Sequence, residues 1–415
     1  MFENLLNRNF FLLWQGQLIS NLGSQAFLIA AMYWTMQATG SASLMGVLMM
    51  ASALPTVLLG PVGGTFADWY SRRAIIIAAD LLSGICVLSL AMMFFLNLPA
   101  NLTVIGVFSA VIVLGIVKAF FQPAITAAIP DLVRKDKVAA ANSLTNFSVQ
   151  ASTLLGQGLG GILYRLVGAG TLFIVDGISY LISAVSESFI DLPVCKRQER
   201  GSFSQGLTDF GRDTVDGMKY VLQRTGMRNL LLISSVINFL LMPIFVLLPF
   251  YVDLTITKGV EWYGFLLAAI SAGAVLGYII AASIEIRGEE RSRLIIGAFF
   301  GVSAALAAAS IVANSYLALL VFLIVGILSG LINIYVITIF QINTPTGLRG
   351  RVMSLVITLS GGISPLGMII GGLAGDLTNK NIPLIYALCG GIAAVFTLMA
   401  ALNTEFRAFL AEEPK

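Results

Sequence analysis

The sequence predicts an all-α integral membrane protein, with a dozen transmembrane helices arranged as two repeated six-helix halves. Composition is the first reason. Of the 415 residues, 58% are hydrophobic and 11% charged, and the mean hydropathy is +0.92, whereas a soluble domain carries about 25% charged residues. The second is that the apolar residues gather into runs matching the roughly 20 residues a helix needs to cross a bilayer. The third is an internal repeat. Ser143-Leu144, Leu155-Gly156 and Gly160-Gly161 recur at one fixed offset as Ser354-Leu355, Leu366-Gly367 and Gly371-Gly372, which ties the fifth span to the eleventh. Repeated six-helix halves with a binding site near the bilayer midplane form a transporter plan.

Taken in order, the first apolar run starts at Phe10 and shows no small-residue cleavage site, so it is expected to remain as a helix. Hydrophobic runs place six spans at about 10–37, 42–67, 74–96, 101–122, 138–165 and 170–191. Six more follow at about 228–252, 261–284, 293–313, 316–340, 350–377 and 382–404. An even number of crossings puts both termini on one side. If that side is the cytoplasm, the basic residues sort cleanly. Arg8, Arg72, Arg73, Arg134, Lys135, Lys137, Lys196, Arg197, Arg200, Arg212, Lys219, Arg224, Arg228, Arg287, Arg291, Arg293, Arg349, Arg351, Arg407 and Lys415 fall inside. Only Arg165, Lys258 and Lys380 fall outside, and Lys118 lies within the fourth span. Short basic loops stay cytoplasmic, which sets the expected orientation.

The longest polar stretch divides the chain into an N-terminal half at 1–192, a central loop at 193–227 and a C-terminal half at 228–415. Within that loop Leu207, Phe210, Met218, Val221 and Leu222 recur at helical spacing among charged residues. The pattern fits an amphipathic helix on the inner membrane surface, or a solvated linker packed on the bundle ends. The three cysteines, Cys86, Cys195 and Cys389, are scattered and indicate neither a disulfide framework nor a metal site. Histidine is absent, which removes the commonest side chain that titrates near neutrality. No nucleotide-binding loop, metal-ligand cluster or nucleophile–base pair appears, so neither an enzyme nor ATP drive within the chain is expected.

Between the second and third spans stands Gly64-Thr65-Phe66-Ala67-Asp68-Trp69-Tyr70-Ser71-Arg72-Arg73, a polar turn at a membrane face. Gly64 is expected to let two helices approach closely. Asp68 is an anion whose natural partners are an arginine or a helix N-terminus. This G-x-x-x-D-x-x-x-R-R spacing resembles the loop 2–3 signature of the major facilitator superfamily, with Trp69 and Ser71 departing from its usual basic residue and glycine. Other stretches point the same way: Phe121-Gln122-Pro123-Ala124, Ile129-Pro130-Asp131-Leu132-Val133, Ala141-Asn142-Ser143-Leu144, Leu348 through Leu355, and Pro365-Leu366-Gly367. Together they resemble the branch containing macrolide-efflux proteins and the enterobactin exporter. The resemblance implies a major facilitator fold and a secondary active exporter, usually a proton antiporter, with two rocking halves.

Further site residues are expected within that frame. Gly156-Gln157-Gly158-Leu159-Gly160-Gly161 is similar to the family's antiporter motif, with Gln157 in place of proline. Gly156, Gly160, Gly161 and their repeats Gly367, Gly371 and Gly372 are expected at close helix contacts. Many relatives carry a buried arginine in the fourth helix. Leu114 stands at the corresponding position here, and Lys118 lies one turn on along the same face. Asp68, Arg72 and Arg73, with Arg349 or Arg351 near the start of the eleventh span, are expected to form either a cytoplasmic latch or a static turn. Asp80 and Asp176 lie about two turns inside their spans, at a depth that marks an ion path or a structural pair. With Lys118 they are the candidate coupling residues. Glu187 and Glu285 at inner helix ends, and Asp253 and Asp376 at outer ends, read as interfacial charges.

In this fold the first, fourth, seventh and tenth spans line the central cavity. They offer Asn21 and Gln25, which share a face at i, i+4 spacing, then Asn238 and Met242, then Asn333 and Tyr335. These are candidate substrate contacts, or amides that tie helices together. Phe27, Trp34, Met49 and Met50 nearby favour a large, apolar, adaptable cavity. The expectation is therefore efflux of a drug-, macrolide- or siderophore-like amphiphile by alternating access. The protein would be a monomer in a bacterial inner membrane, with cytoplasmic termini, the proton as coupling ion, no other cofactor, no metal and no nucleic-acid partner. A lipid or lysophospholipid flippase and a non-transporting receptor or scaffold are the alternatives.

Overall fold

The structure is a computed structural model that describes residues 7–192, 212, 215, 217–284, 286–345 and 348–412. Its helices are α1 (Arg8–Thr39), α2 (Ala42–Trp69), α3 (Arg72–Phe95), α4 (Ala100–Leu132) and α5 (Val138–Glu187). Then come α6 (Thr225–Phe250), α7 (Val260–Ser283), α8 (Gly288–Ala309) and α9 (Ser315–Ile342). The chain ends with α10 (Arg349–Gly362), α11 (Ser364–Leu377), α12 (Ile382–Leu402) and α13 (Thr404–Ala411). Among the described residues nine helices are long and apolar enough to cross a membrane. One of these is α5, which changes direction at Gly168, where φ 77 and ψ 171 interrupt the helix and divide the fifth span from the sixth. With α1 and the α10–α11 pair, the twelve expected spans are all present.

Prolines lie at two of the boundaries that differ from expectation. The fourth span was expected to end near residue 122, but α4 runs on to Leu132 through Pro123 and Pro130. Proline lacks the N–H that would bond the carbonyl four residues back, and the chain here turns that loss into a contact. The Ala119 carbonyl, left without its helical donor by Pro123, lies against Gly63 of α2. The Phe239 carbonyl, freed by Pro243, lies against Gly367 of α11 in the same way. The eleventh span, expected as one helix, breaks at Ile363 ahead of Pro365 in the first turn of α11, after the weak helix pair Gly361-Gly362. Helix α8 begins at Gly288 rather than 293, so Arg291 and Arg293 belong to its first turns.

Chain contacts divide the protein into two compact units: Met1–Gly40 with Ala51–Thr208, and Ser41–Met50 with Asp209–Lys415. The first turns of α2 thus count with the second unit. In the first unit α1 packs along α5, and α3 packs on α4 and α5. Its basic end is filled by Phe10, Leu13, Ile75, Ile76, Ile125 and Ile129. In the second unit α7 packs on α9, α8 on α12, and α6 on α11 and α12. The stacked rings of Tyr251 and Tyr386, 5.3 Å apart, anchor it. Their hydroxyls donate to the Val312 carbonyl at 2.7 Å and the Ile244 carbonyl at 3.0 Å. Of the expected amphipathic helix, Leu207 and Phe210 lie outside the described residues, as do Cys195, Lys196, Arg197 and Arg200. Residues 217–223 are helical, with Val221 buried, Met218 half-buried and Leu222 exposed.

Candidate functional site

The first unit encloses a cavity of about 220 Å³ between α1, α3, α4 and α5, with one side of α2 at Ser52. Helix α1 supplies most of its polar wall. Gln17, Asn21, Ser24 and Leu28 stand at three- and four-residue steps, so one stripe of α1 faces the space. Asp80 enters from α3 and Lys118 from α4, so the cavity holds one carboxyl and one ammonium. Asn21 and Gln25 both line it, as the sequence suggested for one shared face. The Asn21 amide donates to its own helix at the Gln17 carbonyl, 2.7 Å away, while Gln25 accepts from Gln157 of α5 at 3.3 Å. The residue that replaces the motif proline therefore reaches a cavity residue directly.

At the Asp80 end the structure adds a group that sequence reasoning misplaced. Glu187, read as an interfacial charge at a helix end, is only 1% exposed. Its Oε1 accepts from Gln17 Nε2 at 2.8 Å and from Ser183 Oγ at 3.4 Å. The Asp80 side chain, itself 1% exposed, lies beside Ser183 and Glu187. Asp80 Oδ2 and Glu187 Oε2 find no donor among the described residues. Two buried carboxyl groups are thus brought together behind the cavity. Because α5 runs to Glu187 and α1 covers its last turn, a position close to a polar connection in sequence is enclosed in space.

Lys118 makes no ion pair or hydrogen bond among the described residues and opens into the cavity. Asp176 does not line the cavity. It is fully buried on α5, pressed against Gly23 of α1, and both its carboxyl oxygens lack a donor among the described residues. Tyr180, whose hydroxyl is 2.8 Å from Ser24 Oγ, and Gln17 are the other residues that sequence reasoning passed over. The polar stripe on α1 was a readable signal for Gln17, one turn before Asn21. Of the aromatic residues expected around the cavity, Phe27 lines it, whereas Trp34 packs edge-on against Phe94 at 4.8 Å.

The loop 2–3 residues are used within their own unit. Arg72 pairs with Asp131 at the end of α4 and donates to the Ala127 carbonyl at 2.9 Å. Arg73 donates to the Ser188 carbonyl at the end of α5, where the helix dipole favours a cation. Asp68 is exposed in the last turn of α2, and Arg349 and Arg351 open α10. Gly64, expected at a close helix contact, has no neighbour of its own unit within 4 Å of the place a Cβ would take. Its neighbour Gly63 lies against the Ala119 carbonyl of α4.

In the second unit, Asn238 donates to the Ser234 carbonyl of its own helix at 3.1 Å, Met242 packs against Gly367, Tyr335 is buried and Asn333 is exposed. The repeated glycines sit where helices touch. Gly156 and Gly160 meet α1 at Leu22, Gln25 and Ala26, Gly367 and Gly371 meet α6, and Gly372 meets the first turns of α2 at Ala42 and Gly46. Gly161 is buried in α5. Asp376, read as an interfacial charge, caps α2. Its carboxylate accepts from the Ala42 and Ser43 amides at 2.9 Å each and from Ser41 Oγ at 2.8 Å. Glu285 lies outside the described residues.

Comparison with known proteins places this arrangement. A family described as "Transmembrane secretion effector" matches residues 1–413. The Macrolide efflux protein A of Streptococcus pyogenes is 23% identical over 411 residues, covering 96% of this chain and 96% of that protein. The Multidrug efflux pump Tap of Mycolicibacterium fortuitum is 25% identical over 394 residues, covering 91% and 93%. A bacterial homologue of the human lysosomal transporter Spinster shares the fold, with a TM-score of 0.71 at 16% identity over 98% of this chain and 97% of that one. The D-xylose-proton symporter does so with a TM-score of 0.65 at 15% identity over 94% and 97%. With twelve spans, repeated glycine contacts and a match along nearly its whole length, the chain belongs to the transmembrane secretion effector family, in the efflux branch of the major facilitator superfamily.

Proposed function

We propose that the protein exports a hydrophobic or amphiphilic small molecule, drug-, macrolide- or siderophore-like, by alternating access coupled to proton antiport. The observation that carries this reading is the polar cavity of the first unit, with Asp80 and Lys118 facing one space and the buried Glu187 beside Asp80 behind it. When Asp80 is ionised it offsets the Lys118 charge and leaves the cavity receptive to a cationic or strongly polar group. When Asp80 takes up a proton, the ammonium stands alone and disfavours such a group. One site thereby binds either a proton or substrate, the requirement for exchange. A cavity of about 220 Å³ is below the roughly 300–1,000 Å³ of drug-sized pockets, so it receives a polar moiety while the apolar body of the substrate lies beyond it. Asn21 and Gln25 orient that moiety. Asn238, Met242, Asn333 and Tyr335 remain proposed contacts of the second unit.

In this reading the protein is a monomer in a bacterial inner membrane, its termini and basic loops cytoplasmic. The proton is the coupling ion, and no metal, other cofactor or nucleic acid takes part. Asp68 with Arg349 and Arg351 closes the cytoplasmic side, while Arg72 and Arg73 hold the loop that presents Asp68. The test uses purified protein in liposomes under an imposed pH gradient, following a fluorescent amphiphilic cation and a labelled lysophospholipid. Gradient-driven dye movement, lost in Asp80→Asn and Lys118→Ala, is the expected result. Lipid movement without dye transport identifies a flippase instead. Movement of neither favours a non-transporting scaffold and removes the exporter reading for this probe class.

A further inference from the structure

The second unit carries a groove outside the transport reading. It has a volume of about 620 Å³ and lies between the first three turns of α8 and the α12–α13 corner. One face of α8 lines it, at Glu289, Ser292, Arg293, Ile296, Gly297 and Phe300, in steps of three and four residues. The opposite wall is Ala401 of α12 with the facing side of α13, which includes Thr404 and Arg407. Helix α13 is held there by its own ends. Asn403 caps its first turn, Phe406 and Leu410 are fully buried, and the buried Arg291 donates to the Leu410 carbonyl at 2.8 Å and the Glu412 carbonyl at 2.6 Å.

The groove is graded. Its mouth carries two guanidinium groups: Arg293, bonded to Glu289 at 2.8 Å, and Arg407, which has no partner among the described residues. With Glu289 the rim keeps one net positive charge. Beneath the rim, Ser292 is only 4% exposed and its hydroxyl has no hydrogen-bond partner among the described residues, an arrangement that costs free energy unless something accepts that proton. Further along α8 the lining becomes apolar, at Ile296, Gly297 and Phe300. From Glu289 to Phe300 the helix rises about 16 Å at 1.5 Å per residue, close to half of the roughly 30 Å hydrocarbon core. Cationic and hydroxyl donors at one end and an apolar trough one leaflet deep match a phosphate on an acyl chain. The geometry points to a site for one anionic phospholipid of the leaflet that faces the basic end of this unit, its phosphate at Arg407, Arg293 and Ser292 and an acyl chain along Ile296, Gly297 and Phe300. Inorganic phosphate alone would leave the trough unfilled.

The test is native mass spectrometry of the full-length protein released from detergent with phosphatidylglycerol, phosphatidylcholine or inorganic phosphate. The variants are Arg407→Ala, which removes an exposed charge, and Gly297→Leu, which fills the trough from a position with open space above its Cα. Lys380→Ala, a charge outside the groove, is the control. Wild type and Lys380→Ala are expected to retain one phosphatidylglycerol. Arg407→Ala is expected to weaken retention by roughly fivefold, the effect of one basic residue at a membrane surface. Gly297→Leu is expected to abolish it without any change of charge. Equal retention of phosphatidylcholine, unchanged retention in Gly297→Leu, or displacement of the lipid by inorganic phosphate would each overturn the assignment.

Discussion

Replacing Glu187 by Gln separates proton carriage from folding more cleanly than any other single change. The glutamine keeps an oxygen where Gln17 Nε2 donates at 2.8 Å and Ser183 Oγ approaches at 3.4 Å. Its new amide N–H₂ also gives the Asp80 carboxyl a donor, at a place where Asp80 Oδ2 now has none. Stability should therefore change by less than about 1 kcal/mol, because the hydrogen bonds are conserved and no buried group is orphaned. Gln17→Ala removes the 2.8 Å donor and leaves a buried carboxyl oxygen short, which should cost about 1–3 kcal/mol. Function should respond in the opposite order. If substrate binding expels one proton from the Asp80–Glu187 pair, apparent affinity rises with pH by up to about tenfold per unit, the equivalent of about 1.4 kcal/mol. The sign follows from competition, since raising pH removes the competitor. Equilibrium binding of a labelled amphiphilic cation across the neutral range measures that slope directly. It should be steep in wild type, retained in Gln17→Ala at temperatures where that variant is folded, and flat in Glu187→Gln and Asp80→Asn. A slope equally steep in both carboxyl variants would refute the reasoning, because the proton would then sit elsewhere.

Other substitutions test the remaining contacts. Gly63→Leu should lower the melting temperature, since its side chain would run into the Ala119 carbonyl at an overpacking cost of about 1–3 kcal/mol. Asp376→Ala should destabilise by about 0.5–2 kcal/mol through loss of the α2 cap, with Asp376→Asn recovering part of the loss in the same thermal assay. Gln25→Ala should weaken substrate binding and leave the proton slope intact, since Gln25 faces the cavity with Gln157 behind it. A change of slope in that variant would place Gln25 in the coupling path.

What the sequence determined by itself was whatever is written locally or repeated. Long apolar runs with short polar connections leave a helix as the only way to satisfy the backbone in lipid, so the spans were legible, and the shared motifs linking Gly156 with Gly367 and Gly160 with Gly371 exposed the two halves before any contact was visible. The α1 stripe through Asn21 and Gln25 was likewise readable, because a helix fixes which residues share a face. The tertiary structure decided which groups meet. Glu187 looks peripheral in sequence and Asp80 stands alone in its span. They form a pair only because α1 and α3 both pack on α5. The close contact of Gly63 depends on where Pro123 leaves a carbonyl unbonded on a different helix. The capping role of Asp376 depends on the start of α2 counting with the second unit. In each case the deciding neighbour is distant in the chain, and residue pattern along one helix carries no information about which other helix will cover it.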